Sequence, residues 1–452
     1  MRFLFVENFR GFDRQYISLE DVNFFVGENS TGKTSILALI NLFSLPDFWI
    51  NQDFNQGEYQ FGNYRDIADT DYFRVGLIDC TFDQPDSEKP SLFAFLMEFH
   101  EKKGIPSISR FCYIVEVGLH GDNNIYTIVN TEVNTVQAFI TDNKIKYKAD
   151  TFKYDKELCG HIIATFDSWL ETKSDDVDLT EGRFPFPIIK GKYGVKLLAI
   201  VDAIAIERNT EVKWTFVPSF SQNPYFADNF TWIEPVRSKP KKTYDQIKLS
   251  YSAEGQHVPY LIKNLLEDKK LKQAIEFRKF MQKYGKESGL FKDLEIKKFG
   301  EDSASAFELR IVLDDKPLNI NSVGYGVSQS LPILVEFFAR AKNSWFAIQQ
   351  PEVHLHPRAQ AALGDVLYDL AIQAKERFFI ETHSDFIIDR FRLKINRGKD
   401  ILSSQVVFFE RTDGLNKASS IKILPNGKYE ETQPESFRNF FIKEELSILG
   451  IR

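Results

Sequence analysis

Eight residues, Gly27-Glu28-Asn29-Ser30-Thr31-Gly32-Lys33-Thr34, constrain this chain more than any other stretch. They match the pattern G-x-x-x-x-G-K-[ST]. They also stand between a short apolar run, Asp21 to Val26, and a segment from Lys33 to Phe43 whose Ile36, Leu39, Ile40 and Phe43 fall on one helical face. A glycine-rich loop between a buried strand and a helix start is a phosphate cradle. Successive backbone N–H groups wrap the anion, Gly27 and Gly32 tolerate the backbone angles this needs, Lys33 brings charge to the outer phosphates, and the Thr34 hydroxyl holds magnesium. ATP and Mg2+ are the expected ligands, with residues Gly27, Glu28, Asn29, Ser30, Thr31, Gly32, Lys33, Thr34 and Ser35 forming the cradle.

Bulk properties narrow the setting. A chain of 452 residues, 43% hydrophobic, can bury one large core and one or two smaller ones. It carries no apolar run long enough to cross a bilayer, and Met1 to Phe5 leads into an alternating strand pattern rather than a leader, so no membrane contact and a cytoplasmic location are expected. Cys80, Cys112 and Cys159 have neither zinc-site nor disulfide spacing and read as buried thiols. A net charge of -7 gives no global attraction to nucleic acid, which leaves only a local basic surface for such a contact. The 42 phenylalanines read as core and interface filling.

Along the chain, the expected divisions are residues 1–88 with the cradle, a β-rich insertion and connector over 89–235, a lysine-rich helical insertion over 236–300, a second nucleotide-site part over 301–400, and strands with a helix over 401–452. Strand-like runs at Phe73–Ile78, Phe93–Phe99, Phe111–Val117 and Ile125–Val129, separated by turn residues such as Gly121 to Asn124, predict an antiparallel meander. Lys156 to Thr172 reads as helical, and Pro185-Phe186-Pro187 as a break. A basic, proline-broken connector runs from Trp232 to Lys242, His257 to Tyr284 after it is mostly helix-like, and the span 237–298 holds roughly twice as many basic as acidic residues. It is either an acidic-partner or nucleic-acid surface or a plain solvated lysine-rich face.

The rest of the chemistry lies later. Ile348-Gln349-Gln350-Pro351-Glu352 follows the apolar Trp345-Phe346-Ala347, as a buried strand ending in polar residues does. Asn321 to Gln329 is a Gly/Ser loop opening an apolar-faced helix through Leu334, Phe337 and Phe338, and a helix N-terminus with a Ser hydroxyl is an anion site. Phe378-Phe379-Ile380-Glu381-Thr382-His383-Ser384 is another short apolar strand ending in a polar histidine.

These segments, in this order and spacing, resemble the SMC/RecF-like branch of ABC ATPases, and more narrowly the overcoming-lysogenization-defect type with its relatives in bacterial antiphage systems such as PARIS and Septu. The resemblance covers about the first 85 residues and roughly 230 to 425. Gly324 to Gln329 resembles the signature loop, Gln349 to Pro357 the Walker B region, and Thr382-His383-Ser384 the switch-histidine loop. It implies an α/β fold, an ABC-type P-loop ATPase with two lobes, a β-meander arm and a helical insertion. It also implies a homodimer or higher homo-oligomer in which Ser328 of one copy meets the outer phosphate held by Lys33 of the other. His383 then senses that phosphate, unless it is an ordinary polar strand end.

The sequence departs from the family at two positions. Gln349 stands where an acidic residue supports magnesium, and Gln350 where many relatives carry the glutamate that activates water. Glutamine brings no negative charge and is no base at neutral pH, and losing a general base lowers a rate by about 10² to 10⁴. The expected metal-side residues are Thr34 and Gln349, and the expected catalytic ones Gln350, Glu352 and His383, with slow hydrolysis. Glu352 either substitutes as the carboxylate or makes a structural or dimer contact. The resemblance implies an ATP-dependent switch controlling a separate Toprim-like or HNH-like nuclease in response to a phage-encoded trigger. The alternatives are a DNA-binding repair ATPase using Lys239, Lys241, Lys242, Lys269 and Lys270, or a nucleotide-stabilised scaffold without turnover.

Overall fold

The computed structural model describes residues 2–81, 91–116, 124–130, 135–141, 183–185, 229–245, 250–267, 272–302, 305–398 and 400–440. The expected helix at Lys156 to Thr172, the turn at residues 121–123, the break after Pro185, Lys269 and Lys270, Cys159, and the last twelve residues lie outside them.

The alternating start of the chain forms β1 (Arg2–Phe9), which turns back through Arg10 and Gly11 into β2 (Phe12–Leu19). Both turn residues have positive φ, 50° and 82°, the geometry of a two-residue hairpin turn and one reason for the glycine. β2 falls where the sequence showed no strand, because Asp13, Arg14 and Gln15 interrupt its apolar pattern and only its end, Ile17 to Leu19, is buried throughout. β3 (Val22–Gly27) is buried along its whole length, as a strand covered on both faces must be. α1 (Lys33–Ser44) follows the cradle, and the short α2 (Pro46–Asn51) and α3 (Tyr64–Ile67) precede β4 (Tyr72–Thr81), β5 (Ser91–Lys102), β6 (Ile105–Glu116), β7 (Asn124–Asn130), β8 (Thr135–Thr141) and β9 (Arg183–Pro185).

Beyond β10 (Phe230–Ile233) come α4 (Val258–Glu267) and α5 (Lys272–Ser288), then β11 (Asp293–Lys298), β12 (Phe307–Leu313) and β13 (Lys316–Asn319), which form a three-stranded antiparallel sheet. The span expected to be helical to residue 300 thus ends in a strand. Leu294 faces inward there while the flanking Glu and Lys residues face out, and that charge hid the alternation. The remaining elements are α6 (Tyr325–Ala339), β14 (Trp345–Gln349), α7 (Pro357–Gln373), β15 (Arg377–Glu381), α8 (Asp385–Arg397), β16 (Ser404–Thr412), β17 (Leu415–Lys422) and α9 (Glu435–Phe440).

Two compact units divide these elements. The first comprises Met1–Glu20, Ala38–Tyr225 and Glu410–Ala418. Its strands run β2-β1-β4-β5-β6-β7-β8-β9, every neighbouring pair antiparallel, so the expected meander is present. Many phenylalanines are consumed here: Phe54 meets Phe48, Phe61, Phe73 and Phe99 edge-on at 5.0 to 5.8 Å, and each such buried ring contributes about 1.5–3 kcal/mol.

The second unit comprises Asp21–Leu37, Phe226–Phe409 and Ser419–Arg452. Its central strands run β10-β14-β15-β3-β16, with every neighbouring pair parallel. The fold is α/β, with β3 between β15 and β16. In such sheets ligands bind beyond the carboxyl ends of the strands, and Gly27, Gln349 and Glu381 all end strands on that edge.

Candidate functional site

The cradle has the backbone that its glycines predicted. Gly27 has φ 144° and Gly32 φ 93°, and Ser30 is also left-handed at 63°. At Gly27 there is a second constraint, because a Cβ there would stand 2.0 Å from the Phe409 carbonyl oxygen of β16. Glu28, Asn29 and Ser30 are exposed, whereas Thr31 and Lys33 are buried and Gly32, Thr34 and Ser35 half-buried. Lys33 Nζ donates to the carbonyls of Gly27 and Glu28 at 2.9 and 2.6 Å, and Thr31 Oγ1 donates to Glu28 O at 2.7 Å. These bonds hold the loop in its open wrap. Burial pulls the Lys33 ammonium below the usual lysine range, opposed by the Glu381 and Glu28 carboxylates.

The neighbouring strands bring in the later segments. Thr34 Oγ1 donates to Glu381 Oε2 at 2.8 Å, and Gln349 Nε2 approaches the same oxygen at 3.4 Å. Gln349 and Glu381 are register partners of the parallel β14–β15 pair. Gln350 follows with φ 42°, its N–H donating to the Glu381 carbonyl at 2.7 Å. Glu381, which sequence reasoning passed over as the polar end of a strand, thus lies at the centre of the cluster. The available signal was an acidic residue two before His383, in a chain whose Gln349 and Gln350 lack acids.

Glu352 is engaged at both oxygens. Oε2 accepts from the Thr382 hydroxyl at 2.8 Å and Oε1 from the His383 N–H at 2.7 Å. Ser384 caps α8 by accepting from the Ile387 N–H, and its hydroxyl donates to Gln360 Oε1. The backbone around His383 is therefore fixed while its own side chain is exposed. His356, two residues beyond the exposed His354, caps α7 by accepting from the Ala359 N–H.

Ser328 lies in the first turn of α6, buried, with Oγ donating to the Tyr325 carbonyl at 2.9 Å. Among the described residues its side chain makes no bond to the cradle. The first residues of α6 do touch the segment after β14: a Cβ on Gly326 would stand 2.8 Å from His354 O, and the Tyr325 and His354 rings are 5.6 Å apart.

The basic surface is smaller than its composition suggested. Arg237 is 2% exposed and donates to the Gln349 carbonyl at 3.1 Å, while its Nε and Nη1 find no partner among the described residues. Burial lowers its pKa to about 10. Lys272, Arg278, Lys283, Lys292 and Lys298 each pair with a carboxylate. Lys239, Lys241 and Lys242 stay exposed, and the first two edge a cavity of about 350 Å³ that also reaches Ser328. Among the described residues no helix is long and apolar enough to cross a membrane.

No curated protein matches the chain. Solved structures similar to it include an SmcHead bound to the C-winged helix domain of ScpA, at 10% identity over 93% of this chain and 97% of that one, TM-score 0.43. The SMC head domain from Thermotoga maritima is 10% identical over 93% and 99%, TM-score 0.37. The Pyrococcus furiosus Smc head domain with an extended coiled coil, bound to the C-terminal domain of ScpA, is 12% identical over 100% and 99%, TM-score 0.37. A family model described as an AAA ATPase domain matches residues 1–388, and the chain belongs to that family.

Proposed function

We propose that the chain binds ATP with magnesium in the Gly27 to Thr34 cradle and that ATP closes a dimer, making the protein a nucleotide-controlled switch for a separate effector. The cradle carries this reading. Its backbone already has the wrap, Lys33 is buried at its floor, and the Thr34 hydroxyl has its proton directed away and its oxygen lone pairs available, which suits a cation that prefers oxygen ligands. On binding, Lys33 exchanges loop carbonyls for phosphate oxygens, and the bound magnesium neutralises phosphate charge.

In the dimer, Ser328 of the second copy meets the outer phosphate. To donate there it must release the Tyr325 carbonyl. Gln350 stands where a base is needed, and Glu352 is occupied holding the His383 segment, so turnover is slow. β16 is a strand of the same parallel sheet as β3, so the start of the C-terminal portion belongs to the site's own framework. The resemblance to antiphage ATPases suggests a separate effector, a Toprim-like or HNH-like nuclease, and a phage-encoded trigger.

Molar mass by light scattering tests the switch. Saturating ATP with magnesium is expected to double the mass, and Ser328→Arg to keep ATP binding but stay monomeric. A parent chain that remains monomeric with ATP bound contradicts it. The exposed Lys239, Lys241 and Lys242 favour a second reading, direct DNA binding. It predicts an affinity that falls with salt at a log–log slope of about -3, if each lysine neutralises one phosphate.

A further inference from the structure

The geometry points to Glu381 as the carboxylate that supports magnesium beside Thr34, the function having moved one strand over from β14 to β15 and left Gln349 as a neutral companion. This rests on the ATP reading above. Three observations carry it. First, the Thr34 hydroxyl donates to Glu381 Oε2 at 2.8 Å. A hydroxyl has one proton and two lone pairs, so donating to Glu381 turns the lone pairs to face a cation. Second, Gln349 and Glu381 occupy the same level of adjacent parallel strands, where neighbouring chains are only about 4.8 Å apart. An acidic group on either strand end reaches the same space. Third, Glu381 is 5% exposed, and its electrostatic neighbour, the buried Lys33 ammonium, bonds the Gly27 and Glu28 carbonyls rather than the carboxylate itself. A divalent cation beside Glu381 adds positive charge where a buried carboxylate needs it.

The same arrangement accounts for Gln349. A second carboxylate there would stand against Glu381 and the two would repel, whereas the amide N–H is directed at the Glu381 oxygen. Glutamine at 349 is thus the complement of glutamate at 381. The ligand class is a hard divalent cation shared with the nucleotide phosphates, of the kind that binds through one or two carboxylates and keeps several waters.

The experiment is calorimetric titration of the full chain with a non-hydrolysable ATP analogue, in magnesium and in EDTA, for the parent, Glu381→Gln, Glu381→Asp and Glu381→Gln/Gln349→Asp. The parent is expected to bind more tightly with magnesium. Glu381→Gln should lose about tenfold or more of that enhancement, within the range for altered metal surroundings, with EDTA affinity equal or better. Glu381→Asp should fall between, and the double variant should regain the enhancement. An unchanged magnesium enhancement in Glu381→Gln, or in Glu381→Asp if the glutamine variant does not fold, overturns the assignment. A parent that binds no nucleotide in either buffer overturns the ATP reading instead, so the two failures are distinct.

Discussion

The Glu352 carboxylate holds the His383 segment from the neighbouring strand, accepting its backbone N–H at 2.7 Å and the Thr382 hydroxyl at 2.8 Å. The chain after β14 is thereby tied to the chain after β15, and both follow strands that reach the cradle edge. Glu352→Ala is expected to release residues 382–384. Two hydrogen bonds to a charged group contribute about 1.5–3 kcal/mol each at most, and partial exposure of Glu352 lowers that. The variant should therefore fold, bind nucleotide within a few-fold of the parent, and show faster amide exchange at His383. Unaltered exchange there would show that the tie does not position the segment.

Gln350 directly follows β14, its backbone N–H held by the Glu381 carbonyl. Gln350→Glu keeps the shape and adds a base. Phosphate release by the full chain is expected to rise by about 10² or more. Equal rates would mean that another group already activates water, or that chemistry does not limit turnover.

Burial raises the Glu376 carboxyl to about 8, and its Oε2 has no hydrogen-bond partner among the described residues. Above the ordinary carboxylate range the unfolded chain has lost this proton while the folded chain still holds it up to about pH 8. The folded state binds more protons there, so this group makes stability fall as pH rises through that window. Glu376→Gln should flatten the decline of Tm between about pH 5 and 8 and raise Tm at pH 8. A parent and variant with parallel Tm profiles would contradict the assignment.

The strand–loop–helix around Gly27 to Thr34 was legible because its signal is local: glycine at the two special backbone positions, a buried run before, a helical face after. The meander was legible for the same reason, through alternation and turn residues. What escaped the sequence depends on strand order. Thr34 and Glu381 lie far apart in the chain and meet only because β3 pairs with β15, which in turn pairs with β14. Arg237 reads in the sequence as a surface cation but is buried behind Gln349, and the hydrogen bonds of Glu352 across the strand ends have no local signature in the sequence. The lysine-rich span misled in the same way, since composition does not reveal which charges are already paired.

The central claim is that the Gly27 to Thr34 loop holds ATP, and equilibrium titration of the parent and Lys33→Ala with ATP and magnesium tests it most directly. The parent is expected to bind saturably and Lys33→Ala to lose measurable affinity while keeping its fold by circular dichroism. Equal affinity in the two proteins would contradict the placement of the nucleotide.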